Sequence, residues 1–299
     1  MVLKNKIRHF YYNVRTRIKY ITDRKYFSPN LKIMNSEQTI EWVLNGKSIS
    51  RFGDGELSLI LCDEAIGFQK KSDSLSKALE RVLRKPDKNN LVCIPRTFID
   101  RRDMVFRAEQ FWLWYLYMYK EKVLKILNSD YEYGDSLVTR FYLDYKNKAK
   151  TTERIKKLRK IWDKKKILII EGKKTRLGVT NDLLDNAKQI NRLLVPNKNA
   201  FDKYDAILEK ALKIARKYDI LLLSIGPTAT VLVDDLSRSG VQAVDIGHID
   251  AEYEWYRNKA KKKVAIRGKE IIETKKEGVG GLTKKEEKAY KESVVGVIE

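Results

Sequence analysis

The segment ILLLSIGPTATVLVDDLSRSGVQAVDIGHIDAEYEW, residues 220–255, decides the fold. Ile220 to Ile225 is a short apolar run typical of a buried strand, and a helix predicted over 229–238 ends at Gly240. A second strand, Val241 to Ile246, follows directly. Because a strand, a helix and a strand succeed one another without long loops, the segment predicts two parallel strands joined by a helix that covers one face of their sheet.

The same alternation recurs along the chain. Further strands are predicted at 48–52, 91–94, 167–170 and 193–195. Further helices are predicted at 36–46, 74–85, 101–127, 152–165, 181–190 and 202–217. Strands that alternate with helices indicate an α/β fold with a Rossmann-like, mostly parallel sheet flanked by helices.

The bulk composition is that of a globular protein. Of 299 residues, 43% are hydrophobic, and the two cysteines, Cys62 and Cys93, lie in apolar runs. They are expected to be buried free thiols rather than a disulfide or a zinc site. Residues 1–27 have no signal-like apolar core, and no apolar run approaches the length of a membrane span. We therefore expect a cytoplasmic protein, soluble or peripheral at the inner face of the membrane.

The formal net charge of +22 predicts an anionic partner. Residues 1–27 carry eight Lys/Arg and one Asp, and the apolar residues among them recur at helical spacing: Ile7, Phe10, Tyr11, Val14, Ile18 and Ile21. Such a basic amphipathic helix can lie on an anionic membrane surface. It can equally be an ordinary surface helix packed on its own domain, and the sequence leaves both readings open. Nucleic acid is not an expected partner, since no nucleic-acid-binding motif is present.

These features divide the chain into three parts. Residues 1–30 form a basic amphipathic arm, and residues 31–256 form the α/β domain. Residues 257–299 are rich in Lys and Glu and are expected to be an appended, partly mobile tail of surface helices.

An acidic stretch follows the last predicted strand, at the sheet edge where open α/β sheets bind ligands. Asp250 and Glu252 are two hard oxygen ligands one residue apart, which suits a divalent cation held against substrate phosphates. The alternative is a polar helix start with Asp250 as N-cap. His248 is a candidate catalytic residue that would orient a carboxylate or phosphate, or else a structural histidine.

A glycine turn joins the strand ending at Ile225 to its helix. Gly226, Pro227, Thr228, Ala229 and Thr230 are candidate binding residues for a diphosphate, because a helix N-terminus offers backbone N–H groups and a positive dipole. The alternative is a helix capped by threonine.

A second strand-to-helix turn is Arg51-Phe52-Gly53-Asp54-Gly55-Glu56. Its glycines permit close approach of a ligand to the backbone. Arg51, Phe52 and Gly53 are therefore candidate ligand-binding residues, with Arg51 holding a phosphate. Asp54 or Glu56 is a candidate catalytic base, although Asp54 could instead cap the helix.

Longer ordered motifs resemble the bacterial glycosyltransferases of the GT-D fold, a family that includes the glucosyltransferase acting on streptococcal serine-rich repeat glycoproteins. The motifs are SISRFGDGE (48–56), IGFQ (66–69), IWDKKKILIIEG (161–172), RLGVTNDLLDNA (176–187), PNKNAFDKYDAIL (196–208), IGPTATVLVDDL (225–236) and VDIGHIDAEYEW (244–255). The resemblance covers about residues 36–256 and leaves both basic ends outside it.

The resemblance implies a UDP-sugar donor, a divalent metal (Mn²⁺ or Mg²⁺) and an Asp-x-Glu metal motif. Asp250-Ala251-Glu252 and Asp54-Gly55-Glu56 both have that form, and the former is favoured here as the metal site. The expected activity is transfer of a hexose, glucose or galactose, to a glycan acceptor on a glycoprotein or lipid carrier. The rival hypothesis is a non-catalytic basic module that docks on nucleic acid or an anionic membrane. The sequence gives no oligomeric state.

Overall fold

A nine-stranded sheet runs through the molecule. The computed structural model describes residues 2–62, 65–271, 276–277 and 280–299. The strands of this sheet are β1 (Lys32–Ile33), β2 (Ser48–Arg51), β3 (Asn90–Ile94), β4 (Glu132–Asp135), β5 (Lys166–Gly172), β6 (Gln189–Val195), β7 (Ile220–Ser224), β8 (Ala243–Asp245) and β11 (Val294–Val297). Strands β9 (Glu270–Ile271) and β10 (Lys276–Glu277) form a separate antiparallel pair. The order is β1-β4-β3-β2-β8-β7-β5-β6-β11, and the pairings in it are parallel. The predicted α/β fold is therefore confirmed.

Helices cover the sheet on both faces. They are α1 (Val2–Thr22), α2 (Ser36–Leu44), α3 (Asp54–Leu61), α4 (Asp73–Arg84), α5 (Phe106–Ile126), α6 (Thr151–Arg159), α7 (Tyr204–Ala215), α8 (Pro227–Arg238), α9 (Ile249–Arg257) and α10 (Lys284–Ser293). Local chemistry sets their starts: Asn35 and Gln38 form a capping box on α2, and Pro227 occupies the first turn of α8. Among the helices described, none is long and apolar enough to cross a bilayer.

The central strands feed two separate cores because their side chains alternate. On β5, Ile167 and Ile169 join the cluster that includes Trp162, whereas Leu168 and Ile170 join the cluster beneath α7 and α8. The sequences of these central strands are continuously apolar because helices cover both faces of the sheet. Both cysteines are free, as predicted; Cys93 is buried, whereas Cys62, at the end of α3, is only half-buried.

Three predicted helices differ from the structure. Residues 181–188 form turns, and strand β6 begins at Gln189. Here the Asn181 side chain accepts from the Leu183 N–H, and Trp162 Nε1 donates to the Leu183 carbonyl, so local bonds replace helical ones. The helix predicted over 152–165 ends at Arg159, and that over 101–127 begins at Phe106.

The C-terminal segment is part of the fold, which corrects the expectation of an appended tail of surface helices. Strand β11 extends the sheet beside β6, and Ile266 and Ile271 are buried in the main core. Lys269 is also buried, with 3% of its surface exposed. Residues 272–275 and 278–279 of this segment lie outside the described residues.

A buried ion pair ties this segment to the sheet. Glu171 on β5 and Arg192 on β6 are both buried and lie 2.5 Å apart. The second Glu171 oxygen accepts from the Leu177 N–H, and Arg192 donates to the Leu177 carbonyl. The Arg192 guanidinium also lies 5.2 Å from the Tyr290 ring of α10. One cation therefore holds two strands, the loop after β5 and the C-terminal helix.

We expect Arg192→Met to lower the free energy of unfolding by about 3–5 kcal/mol, because Glu171 would stay buried without its cation. The matched control is Arg102→Met, since Arg102 pairs with Asp100 at 2.8 Å but its side chain is 90% exposed. That change should cost about 1 kcal/mol at most. Urea denaturation of both variants is the measurement, and equal losses would contradict a special role for the buried pair.

Candidate active site

One cavity of about 570 Å³ opens at the carboxyl ends of the parallel strands. The loops that follow β2, β4, β5, β6, β7 and β8 line it, and the first half of α5 closes one side. Its size is that of a small-molecule site, and its place is the one where open α/β sheets bind ligands.

Three helices begin at this cavity. The N-cap residues of α3, α8 and α9 are Gly53, Gly226 and His248, and all three line the cavity. Helix N-termini carry unpaired N–H groups and partial positive charge, so they favour anions such as phosphates. The sequence placed these turns at one sheet edge, and the structure brings them together.

Arg51 joins the strand ends beneath the cavity. Its Nε donates to the Asp245 carbonyl at 2.7 Å, and its Nη2 pairs with the Asp245 carboxylate at 2.9 Å. Its Nη1 donates to the Ser136 carbonyl and the Thr139 hydroxyl. Most of its donors are thus used within the protein, so Arg51 positions the loops after β4 and β8, whereas the sequence predicted direct contact with a phosphate.

The backbone at Gly247 is shaped around this guanidinium. Its φ is +46°, and a Cβ there would lie 1.8 Å from Arg51 Nη2. Only glycine fits both the conformation and the approach.

Among the described residues, five carboxylates line the cavity: Asp54, Glu56, Asp144, Asp245 and Glu270. Three of them pair with a cation of the protein: Asp144 with Arg107, Asp245 with Arg51 and Glu270 with Lys174. Glu56 accepts from the Gly53 N–H at 2.8 Å, and Asp54 is exposed. Burial, with the nearby charges of Asp245 and Asp54, raises the pKa of Glu56 to about 7. Within the described part of the chain, no three His, Cys, Asp or Glu side chains form a ready-made metal cluster. A cation here would therefore draw further ligands from a substrate or water.

The structure does not bring Asp250 and Glu252 together, which corrects the expectation of a shared metal pair. Asp250 lies 2.5 Å from Lys269 Nζ and accepts from the Gly178 N–H and the Asn181 amide. Glu252 instead accepts from two backbone N–H groups of the segment after β4. Both residues lie on α9, where positions two apart point in different directions. Neither lines the cavity.

Glu252 shapes the cavity indirectly. Its side chain is buried, and one carboxylate oxygen accepts from the Tyr142 N–H at 3.0 Å and the Leu143 N–H at 3.2 Å. Burial raises its pKa. The same segment supplies Arg140 and Asp144 to the cavity wall. Glu252 is thus a positioning residue for that wall.

The turn at 226–230 contributes through its backbone. Gly226 has a φ of +59°, and a Cβ there would lie 2.2 Å from the Phe68 ring, so the aromatic ring packs directly on the turn. Thr228 and Thr230 are fully buried, and the Thr230 hydroxyl donates to the Arg51 carbonyl at 3.0 Å. The predicted hydroxyl contacts to a diphosphate are therefore not arranged here, and Pro227 and Ala229 are buried as well. Phe52 also belongs to the core.

Several cavity residues were missed by the sequence analysis. Arg107, Arg140 and Lys263 bring positive charge, and Phe111 brings aromatic surface. Arg140 follows β4, a strand too short and polar to be recognised. Phe68 also lines the cavity and belongs to the motif IGFQ, so for this residue the family resemblance was a signal of a role in the site.

Comparison with known proteins agrees with this geometry. Residues 49–274 match the family model described as glycosyltransferase GT-D fold. Over 245 residues, 81% of this chain, it is 34% identical to a probable glycosyl transferase Gly of Streptococcus gordonii and 33% identical to a glycosyltransferase GlyD of Streptococcus pneumoniae. It covers 36% and 30% of their lengths, so the chain spans about a third of these curated relatives.

Solved structures agree over nearly the whole chain. A structure reported as the domain of unknown function 1792, with a distinct glycosyltransferase fold, superposes with a TM-score of 0.84 at 36% identity, covering 90% of this chain and 96% of that one. A new glycosyltransferase from Streptococcus sanguinis gives 0.84 at 33% identity, covering 90% and 100%. The fold and the site define an α/β protein of the glycosyltransferase class. The chain belongs to the family of glycosyltransferases with the GT-D fold.

We expect Glu252→Ala to speed hydrogen exchange at the Tyr142 and Leu143 amides and to lower the free energy of unfolding by about 1–3 kcal/mol, because two buried N–H groups lose their acceptor. Glu252→Gln keeps an accepting oxygen and should cost less. Native-state exchange by mass spectrometry resolves the segment. Unchanged exchange in the alanine variant would show that Glu252 does not hold this wall.

Proposed function

We propose that this protein is a metal-dependent glycosyltransferase that moves a hexose, glucose or galactose, from a UDP-sugar to a glycan acceptor on a glycoprotein or lipid carrier. The observation that carries the proposal is one cavity, in a chain of this family, that combines helix N-termini, basic side chains and carboxylates. The choice of hexose and of acceptor rests on the resemblance of the sequence motifs.

We assign the donor diphosphate to the basic side chains and helix N-termini that line the cavity. Arg107, Arg140 and Lys263 line it, and the backbone turns at Gly226 and His248 begin helices there. A developing negative charge on the leaving UDP is stabilised most when such donors are fixed in advance. His248 is proposed to orient the phosphate at the start of α9.

Two of the carboxylates that line the cavity fit a divalent cation. Asp54 and Glu56 offer hard oxygen atoms, the ligand type that Mg²⁺ and Mn²⁺ prefer. Burial is the main cause of the raised pKa of Glu56, and the nearby charges of Asp245 and Asp54 add to it, so a bound cation would favour the charged form of this carboxylate. A bound cation would offset the charge of the leaving diphosphate. We therefore move the proposed metal site from Asp250 and Glu252 to Asp54 and Glu56.

A catalytic base is the alternative role for the same pair. Either Asp54 or Glu56 could accept the proton of the acceptor hydroxyl, as the sequence suggested. The two roles differ in one measurable quantity, the metal concentration that gives half-maximal turnover.

Turnover of UDP-glucose or UDP-galactose, followed as UDP release, should require Mn²⁺ or Mg²⁺ and stop with excess chelator. Asp54→Asn and Glu56→Gln should each lower turnover on the order of a hundredfold or more, as for loss of a positioned electrostatic group. A ligand variant needs more metal for half-maximal turnover, whereas a base variant does not. Glu252→Gln is the control and should keep the wild-type metal requirement. Full activity in excess chelator would refute the metal role.

The non-catalytic alternative is tested by ligand binding alone. UDP with Mn²⁺ at about a hundred times its dissociation constant should stabilise the folded protein by about 2.7 kcal/mol. A generic oligonucleotide should not do so through this cavity, because its carboxylates oppose a polyanion. Thermal unfolding with each ligand decides the matter. Stabilisation by the oligonucleotide but not by UDP would favour the binding module.

A further inference from the structure

Helix α1 turns its polar side inward and its apolar side outward. Thr16 is fully buried, and Arg17 donates to Gln110 at 2.6 Å and pairs with Glu109 at 2.9 Å on α5. The large apolar side chains point away from α5, with exposed fractions of 54% for Tyr11, 41% for Val14, 57% for Ile18 and 72% for Ile21. We call these four residues the outer face of α1.

This arrangement is the reverse of an ordinary surface helix, which buries its apolar stripe. The sequence left open whether α1 packs on its domain or lies on a membrane. In the structure Arg17 contacts α5 through polar bonds and Tyr20 packs on Phe27, so the inner side of α1 is formed by other residues and the outer face remains exposed. Ile7 and Phe10, which continue the stripe in the sequence, lie outside the residues whose side chains are described.

Helix α5 adds an exposed aromatic side chain beside α1. Phe106 is 70% exposed, and the Arg17 guanidinium lies 4.7 Å from its ring. Contiguous exposed apolar surface bordered by polar residues marks an interaction site.

The basic residues that border the outer face favour an anionic partner. Helical spacing of 100° per residue places Arg15 and Lys19 along one border and Arg17 along the other. Residues 1–27 carry eight Lys/Arg against one Asp. Two copies of such a face would bring like charges together, which disfavours self-association. An anionic lipid surface matches both the apolar line and its basic borders.

We propose that α1 seats the protein on an anionic bilayer, with Tyr11, Val14, Ile18 and Ile21 entering the headgroup region. Helix α5, on which α1 packs, also supplies Arg107 and Phe111 to the cavity. If the proposed function holds, this contact brings a membrane-bound acceptor near that wall. The membrane contact itself does not depend on any activity.

Co-sedimentation with vesicles tests the proposal on the full chain, without sugar nucleotide. Vesicles of phosphatidylglycerol and phosphatidylcholine in equal parts are compared with phosphatidylcholine alone. The wild type should bind the anionic vesicles and dissociate as salt rises. Ile18→Ser with Ile21→Ser should lower the partition coefficient at least about tenfold, since two apolar side chains lose their burial. The matched control is Val264→Ser with Val297→Ser, two exposed apolar residues elsewhere, and it should stay within about twofold.

A charge variant keeps the test valid if the serine variant misfolds. Arg15→Gln with Lys19→Gln leaves the apolar face intact and should weaken binding to anionic vesicles by about tenfold or more, at about 1 kcal/mol per basic residue. Circular dichroism checks that each variant is folded. Equal binding of wild type and both variants, or no binding of the wild type, would overturn the proposal. Light scattering that shows a dimer dispersed by the serine variant, with no vesicle binding, would assign the face to a second copy.

Discussion

The pairing of Arg51 with Asp245 is the interaction on which the cavity depends. One guanidinium, whose side chain is 13% exposed, binds the carboxylate and the carbonyl of Asp245 and also the Ser136 carbonyl. Charge-assisted bonds of this kind are shorter and stronger than neutral ones. The ends of β2, β4 and β8 are therefore fixed to one group. Lysine could not replace it, since a single ammonium lacks the planar set of donors.

The acidic residues in and around the site differ in whether a cation of the protein pairs with them, as Arg51 does with Asp245. Asp245 is neutralised by Arg51, Asp250 by Lys269 and Glu171 by Arg192. Glu56 instead has a backbone N–H as donor and, among the described residues, no cation as partner; burial first, and then the charges of Asp245 and Asp54, raise its pKa to about 7. Burial with a protein cation indicates a structural carboxylate. Accumulated negative charge at a cavity indicates a place for a cation from outside, and that contrast is the basis for assigning metal to the 54–56 pair.

The sequence predicted the strands and turns that obey local rules. A strand such as Ile167 to Ile170 can be predicted from its apolar run alone, without knowledge of tertiary contacts. A glycine directly after a strand likewise predicts the start of a helix at the edge of the sheet. Strands β4 and β11 were missed because a polar tetrapeptide and a glycine-containing one have no clear period. The helix predicted over 181–190 was wrong because Asn181 and Trp162 offer local bonds that only the folded chain aligns. Arg107 and Arg140 reach the cavity through packing that no spacing reveals.

The acidic stretch shows why composition alone does not identify a pair of metal ligands. A density of carboxylates after a strand suggested ligands, yet α9 uses them as anchors in different directions. Asp250 accepts from the loop after β5 and from Lys269 of the C-terminal segment, while Glu252 holds the segment that carries Arg140. His248 begins the same helix at the cavity. Helix α9 thus connects the cavity turn, the wall after β4 and the C-terminal segment. A substitution that removes a charge from α9 is therefore expected to change the shape of the cavity, not to remove a catalytic group. Helix α3 begins at the same cavity, but its Asp-x-Glu pair at 54–56 differs because both carboxylates line the cavity and Asp54 is exposed.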